Sequence, residues 1–245
     1  MGEKPVYRVL VTGATDGIGL ALANICANLG AQVLATGRKA DMSREAFLGD
    51  ENSSGRIHYI RADQSEPAHA ASVITRAMQE LGWDGCDLAI LNAGTGWAGD
   101  AIQEPARSVL NQVAVNLEAT ILISHALAPR LLAVSGKLAL VGSVAHRGEP
   151  RFATYAATKA GLHGFARALR SEWQGRAEVQ VIHPGAVRTS MHEKAGLSVG
   201  AVRSMFPTPE RAAHAILRQI SKGQSPVVLK PMRIWRSGRR VRALP

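Results

Sequence analysis

The stretch that decides the fold is Val6-Tyr7-Arg8-Val9-Leu10-Val11-Thr12-Gly13-Ala14-Thr15-Asp16-Gly17-Ile18-Gly19. Its first half is a nearly continuous apolar run rich in β-branched residues, which predicts a strand buried on both faces. After the glycines, Leu20, Leu22, Ile25 and Leu29 follow a helical pattern with Gly30 as its stop, and residues 32–36 read as a second buried strand. Strand, glycine turn, helix and strand make a βαβ unit. Its turn lets a pyrophosphate meet backbone N–H groups at a helix N-terminus, and glycines are needed there because a Cβ would block the approach. The spacing is G-x-x-x-G-x-G rather than G-x-G-x-x-G. Its position between a first strand and a helix makes nucleotide binding the stronger reading.

The alternation continues. Residues 57–61 read as a strand ending in Ala62-Asp63, 68–81 as a helix, and 87–91 as a buried strand opening into Asn92-Ala93-Gly94. One long helical region spans about 101–132 and carries Asn116 between Val115 and Leu117. Residues 137–141 form a strand that ends at Gly142-Ser143, where the hydroxyl would emerge at the sheet's carboxyl edge. A helix through Tyr155 and Lys159 runs to about Trp173. It is followed by a strand at 179–182, the turn Pro184-Gly185, a last helix from Pro209 and a short strand at 227–229. About seven strands alternating with helices predict an α/β fold: a single-domain, Rossmann-like, doubly wound parallel sheet flanked by helices. The ligand of such a sheet lies outside the carboxyl ends of the strands. We read residues 1–229 as that domain and 230–245 as a basic tail.

A chain of 245 residues with 46% hydrophobic and 20% charged residues suits one soluble globular domain. Cys26 and Cys86 lie in apolar runs without metal or redox spacing, which predicts buried thiols in a reducing compartment. The first residues have no apolar signal core and no run reaches about 18 apolar residues, so a cytoplasmic protein is expected. The net charge is +10, and Lys230, Arg233, Arg236, Arg239, Arg240 and Arg242 carry six of those charges. With Ile234 and Trp235 among the arginines, the tail reads as a disordered end or a weak contact with anionic membrane, making the protein peripheral to that surface. Non-specific nucleic-acid binding is a third reading; a specific nucleic-acid partner is not expected. The eight histidines show no ligand spacing, and no metal is expected.

Two further stretches carry chemistry. The second strand runs into Thr36-Gly37-Arg38-Lys39, with no acid until Asp41. An acid at that edge would hold the adenine ribose hydroxyls, whereas an arginine can pair with a 2′-phosphate, so NADP(H) is favoured over NAD(H). In Tyr155-Ala156-Ala157-Thr158-Lys159 the tyrosine and lysine are four residues apart and share a helix face. A cation alongside favours the phenolate, so Tyr155 is expected to have a lowered pKa and to serve as a general acid/base.

Thr12-Gly13-x-x-x-Gly17-x-Gly19, Asn92-Ala93-Gly94, Asn116, Ser143, Tyr155-x-x-x-Lys159 and Pro184-Gly185-x-x-x-Thr189 together resemble, in order and spacing, the short-chain dehydrogenases/reductases over residues 6–222. The resemblance implies hydride transfer between a nicotinamide cofactor and a carbonyl or alcohol. In it Ser143 hydrogen-bonds the substrate oxygen, Tyr155 exchanges a proton with it, Lys159 lowers the Tyr155 pKa and holds the nicotinamide ribose, and Asn116 anchors a water in a proton relay. It also implies cofactor contacts at Gly13, Thr15, Asp16, Gly17, Ile18 and Gly19, at Arg38, at Asp63 beside the adenine, and at Asn92 and Gly94 on the adenosine side. The segment Pro184, Gly185, Val187 and Thr189 would hold the nicotinamide end.

The family's oligomers, built on two long helices, imply a homodimer or homotetramer. Asp16 stands where many NADP-preferring relatives carry Arg or Lys. A 3-oxoacyl thioester reductase is an alternative, but the ending Val227-Val228-Leu229-Lys230-Pro231 differs from that of relatives acting on acyl-carrier substrates and counts against both that reading and the tetramer. A non-catalytic nucleotide sensor on the same fold is another. Trp97, Val144, Phe152, Val187, Met191, Leu197, Met205 and Phe206, with Arg147, Arg151, Arg188, Lys194 and Arg203, fall in the family's substrate-facing segments. They suit a lipophilic small-molecule carbonyl or alcohol.

Overall fold

The structure is a computed structural model, and it describes residues 6–42, 47, 56–189, 195–196, 204–237 and 240–245. Val9, Leu10 and Val11 put β1 (Arg8–Thr12) at the centre of the sheet, since each is completely buried and neighbouring side chains point to opposite faces. The chain then forms α1 (Gly17–Asn28), β2 (Gln32–Gly37), β3 (Ile57–Arg61), α2 (Pro67–Glu80) and β4 (Leu88–Leu91). α3 (Ala106–Val113), α4 (Ala119–Ala133), β5 (Lys137–Val141), α5 (Ala153–Glu172) and β6 (Glu178–Pro184) follow. The last elements are α6 (Pro209–Ser221), β7 (Val227–Leu229) and α7 (Pro231–Ser237).

Among the described residues, seven strands make one parallel sheet in the order β3-β2-β1-β4-β5-β6-β7. Val9 pairs with Val33 on one side and with Leu88 on the other. The winding reverses between β1 and β4, so the chain leaves the carboxyl ends of these two neighbours in opposite directions and opens a crevice there. One face of the sheet packs a cluster including Leu22, Val33, Ile90, Ile216 and Ile220 under α1 and α6. The other packs Leu10, Ile74, Ile123, Leu127 and Leu138 under α2, α4 and α5. Cys26 and Cys86 are free and fully buried, and burial pushes each thiol up to about 12.

Two regions differ from the sequence expectation. The long helix expected at 101–132 is broken into pieces. A single 3₁₀ turn at Ala101–Gln103 ends before Pro105, and α3 and α4 are joined by a π-helical turn at Ala114–Glu118. Such an insertion shifts the side-chain register within a helix, and here it carries Asn116.

The tail is not a disordered end in its described part. α7 inserts Ile234 (0% exposed) into the α1/α6 face, and Val241 and Leu244 pack on the same cluster. Trp235 lies beneath the Arg211 guanidinium, 4.2 Å from it. The Tyr7 hydroxyl donates to the Pro245 carbonyl at 2.5 Å, and Val241 N–H to His214 Nδ1 at 3.3 Å. Apolar burial outweighs the repulsion of the basic side chains, of which Lys230, Arg233, Arg236, Arg240 and Arg242 are exposed. No helix among the described residues is long and apolar enough to cross a membrane.

Candidate active site and cofactor cleft

The crevice is lined first by backbone. Gly13 has φ of +65°, and a Cβ on it would lie 2.7 Å from Ala93 Cα, so the glycine turn and the Asn92-Ala93-Gly94 segment touch main chain to main chain. Gly19 is packed as tightly: a Cβ there would run into the Gly13 carbonyl oxygen. Thr12 and Asn92 lock the two segments together. Thr12 Oγ1 accepts from Asn92 N–H (3.0 Å) and Ala93 N–H (3.1 Å), and the Asn92 amide donates to Thr12 O (3.1 Å) and Gly13 O (3.3 Å). Asn92 is thus committed to bracing the glycine turn. Asp16 caps α1, accepting from Gly17 N–H at 2.7 Å. Thr189 sits over Gly17, which brings the Pro184–Thr189 segment, with Gly185 and the buried Val187, to the glycine turn from β6. Ile18 faces the α1 core cluster as a partly buried residue.

Beyond the end of β2, Thr15, Asp16, Arg38, Lys39 and Asp63 line a cavity of about 520 Å³. Arg38 and Lys39 are exposed. Asp63 Oδ1 is engaged by Ser65, accepting from its N–H (3.0 Å) and Oγ (2.9 Å), which fixes the turn after β3. Two bases and two acids therefore share this rim, with the bases at the β2 end. Glycine contacts at 13 and 19, a helix N-terminus and a basic edge are the donor set a dinucleotide phosphate needs, so the residues present fit such a cofactor.

Polar side chains converge on the other side of the crevice. Tyr155 and Lys159 lie on successive turns of α5, at 7% and 3% exposure. Ser143, released at the end of β5, hydrogen-bonds Tyr155. Lys159 Nζ donates to Val141 O at 3.0 Å and lies 5.7 Å from the centre of the Tyr155 ring. A Cβ on Gly94 would sit 3.4 Å from Asn116 Oδ1 and 3.5 Å from Lys159 Nζ, so these groups meet above one glycine. Asn116 is fully buried and hydrogen-bonded through both amide atoms: Oδ1 takes Thr95 N–H at 2.8 Å, while Nδ2 donates to Thr95 O at 2.8 Å and Thr158 Oγ1 at 3.1 Å.

The electrostatics depart from the sequence expectation. Burial drives the Tyr155 phenol up to about 12, and the Ser143 hydrogen bond opposes it without prevailing. Burial also brings Lys159 down to about 8, and one of its three N–H groups goes to the Val141 carbonyl. Desolvation outweighs the neighbouring cation.

Two histidines that spacing did not reveal hold the Ser143 backbone. His146 Nδ1 lies 2.7 Å from Ser143 O, and His183 Nδ1 lies 3.1 Å from Ser143 O and 3.2 Å from Ser143 N. The available signal was position: one follows Ser143 by three residues, the other precedes Pro184-Gly185.

The substrate-facing segments are partly seen. Trp97, Asp100, Gln103 and Arg151 line a cavity of about 760 Å³, and Gly99 N–H donates to Arg151 O at 2.9 Å. Met191, Lys194, Leu197 and Arg203 lie outside the described residues.

The comparisons with known proteins agree with this geometry. Residues 7–198 match the family model for short chain dehydrogenase. The chain belongs to the short-chain dehydrogenases. Among curated relatives, uncharacterized oxidoreductase YciK of Escherichia coli is 29% identical over 241 residues, covering 94% of this chain and 85% of the relative. Oxidoreductase UcpA of Escherichia coli is 30% identical over 200 residues, covering 79% and 74%. A short-chain dehydrogenase from Sphingobium yanoikuyae, solved in complex with NADPH, is 25% identical with a TM-score of 0.77, covering 92% of this chain and 88% of that one. As a member of this family the chain is an oxidoreductase, and its Rossmann-like fold is that of the solved relatives.

Proposed function

We propose that this oxidoreductase reduces ketones or aldehydes, or oxidises the corresponding alcohols, with NADP(H) as its preferred cofactor. The observation that carries the reading is the convergence of Ser143, Tyr155 and Lys159 beside the glycine-walled crevice. NADPH, when bound, supplies the hydride. Every other task falls to the chain. Gly13, Gly17 and Gly19 with the α1 N-terminus take the pyrophosphate, and Arg38 pairs with the 2′-phosphate. Gly94 and Asp63 flank the adenosine side, and Pro184 to Thr189 hold the nicotinamide end.

As the substrate oxygen gains negative charge, the Ser143 and Tyr155 hydroxyls supply hydrogen bonds to it, and Tyr155 gives up its proton. A phenol that keeps its proton to about pH 12 is loaded for donation at neutral pH. Lys159 replaces the phenol's lost charge balance from the next helical turn, and Asn116 fixes the loop above it. The cavity beside Trp97 and Arg151 suits a lipophilic carbonyl bearing a polar or acidic group. The NADPH seen in the Sphingobium relative supports the cofactor choice. Leu110 (70% exposed) and the exposed Val113 on α3 support a homodimer.

Fluorescence titration with NADPH and with NADH tests the reading. A clear preference for NADPH is expected, followed by turnover in a ketone and aldehyde panel that fails in Tyr155→Phe. A preference for NADH removes the role given to Arg38, and binding of neither removes the reductase.

A further inference from the structure

His146, His163 and His183 are far apart in sequence, yet the turn after β5, the middle of α5 and the end of β6 bring them together. One ring nitrogen from each lies within 4.8 Å of the others. His163 Nδ1 is 3.1 Å from His183 Nε2. Two imidazole nitrogens on a tetrahedral zinc ion, each at about 2.0–2.1 Å, stand about 3.3 Å apart, so this pair is already near ligand spacing.

Two of the three rings meet the Ser143 backbone through Nδ1. His146 Nδ1 reaches the Ser143 carbonyl oxygen at 2.7 Å, which leaves its Nε2 lone pair free when Nδ1 carries the proton; His183 Nδ1 lies between the Ser143 carbonyl (3.1 Å) and the Ser143 N–H (3.2 Å), so its Nε2 offers a lone pair only in the tautomer that gives up the N–H contact. An imidazole that donates its second N–H to a backbone carbonyl is the usual outer arrangement around a bound metal. Gly142 makes room for this packing, since a Cβ there would run into the His183 ring.

We propose that His146, His163 and His183 form a binding site for one transition-metal ion of the imidazole-preferring class, such as zinc, nickel or copper(II), with water completing its coordination. The His146 ring stacks on His183, with centres 3.7 Å apart and planes 19° apart. Lone pairs of stacked rings run side by side, so His146 tilts off the stack as its bond forms. It is half-buried on a short 3₁₀ turn (Val144–Arg147), which gives it that freedom. The tilt pulls on the His146 contact with Ser143 O, so a bound ion acts on the Ser143 turn. This second effect rests on the proposed reductase reading; the binding does not.

The test uses untagged full-length protein, stripped of metal by dialysis against a chelator and free of cofactor. Titration with Co²⁺ is expected to give an intense visible ligand-field band at one ion per chain. Displacement by Zn²⁺ is expected to show micromolar or tighter affinity. His163→Ala, on the half-buried face of α5, loses about 100-fold or more in affinity, comparable to or beyond the loss of an outer partner. His146→Ala does the same from the turn, and the exposed His125→Ala leaves binding intact. Failure of the wild type to take up either ion, a pale octahedral spectrum, or binding that survives both His163→Ala and His146→Ala overturns the assignment. Metal uptake is read without substrate or NADPH, so failure of the reductase reading leaves this result distinct.

Discussion

Between β1 and β4 the cleft is walled by backbone: Gly13 lies against Ala93, Gly19 against the Gly13 carbonyl, and Thr12 and Asn92 use their polar atoms to tie two main-chain segments together. Between β5 and β6 it is walled by buried polar side chains: Asn116, Tyr155, Lys159 and His183 reach it from three different segments. The first wall is sensitive to volume and indifferent to ionisation. The second is sensitive to protonation and to each hydrogen bond. Damage to one should therefore show in cofactor binding, and damage to the other in turnover or in pH dependence.

The largest separation is expected from Tyr155→Phe. Removing a positioned proton donor lowers turnover by about 10²–10⁴-fold. NADPH affinity should stay within about threefold by fluorescence titration, because a hydroxyl among side chains is lost and no backbone moves. A parallel collapse of binding and turnover would break the division between the walls. Gly19→Ala is the converse. Its Cβ meets the Gly13 carbonyl, and overpacking of about 1–3 kcal/mol placed at the turn corresponds to ~5–150-fold in NADPH affinity. Circular dichroism should report an intact fold.

A smaller effect sharpens the picture of the second wall. Asn116→Ala removes the acceptor of Thr95 N–H and the donor to Thr95 O, so the loop after β4 loses both of its ties to the π turn. Leaving such groups unpaired costs about 1–3 kcal/mol, to be read as a shift of the urea midpoint. An unchanged midpoint would mean that water replaces the amide freely and that this wall is wetter than its burial suggests.

The same contrast explains what could be read from sequence. The strands were visible because being buried on both faces demands apolar runs such as Val9-Leu10-Val11, and the glycine turn was visible because its requirement is local. The π turn at Asn116 has no local signal: Ala114 to Glu118 suits an α-helix equally well, and tertiary contacts to Thr95 and Thr158 accompany the extra residue. The tail misled because its charge is conspicuous while its apolar anchors are few: Ile234, buried once β7 has set α7 against α6, with Val241 and Leu244 on the same cluster. The histidines at 146, 163 and 183 have no meaningful spacing along the chain and meet only through the β5–β6 pairing and α5. The Tyr155–Lys159 spacing was legible; the degree to which both would be desolvated was not.

That last point leads to the smallest effect, and the one most specific to the second wall. Tyr155 has its pKa raised from 10.0 to about 12, so the folded protein holds a proton that the unfolded chain releases. Its contribution to stability is fully present below pH 10 and is lost as pH climbs through about 12. Lys159 has its pKa lowered from 10.5 to about 8, so the folded protein releases a proton that the unfolded chain keeps. Its contribution has the opposite sign: stability is gained as pH rises from about 8 towards 10.5. At about 1.4 kcal/mol per unit, each is at most about 3 kcal/mol. Denaturant midpoints from neutral to alkaline pH should therefore fall less steeply above pH 10 in Tyr155→Phe and lose their rise above pH 8 in Lys159→Met, while Cys26 and Cys86 add the same alkaline decline to every variant. A tyrosinate absorbance difference between wild type and Tyr155→Phe that develops below pH 10 would show the lysine's field overcoming desolvation. The second wall would then be primed to exchange protons in the absence of any ligand.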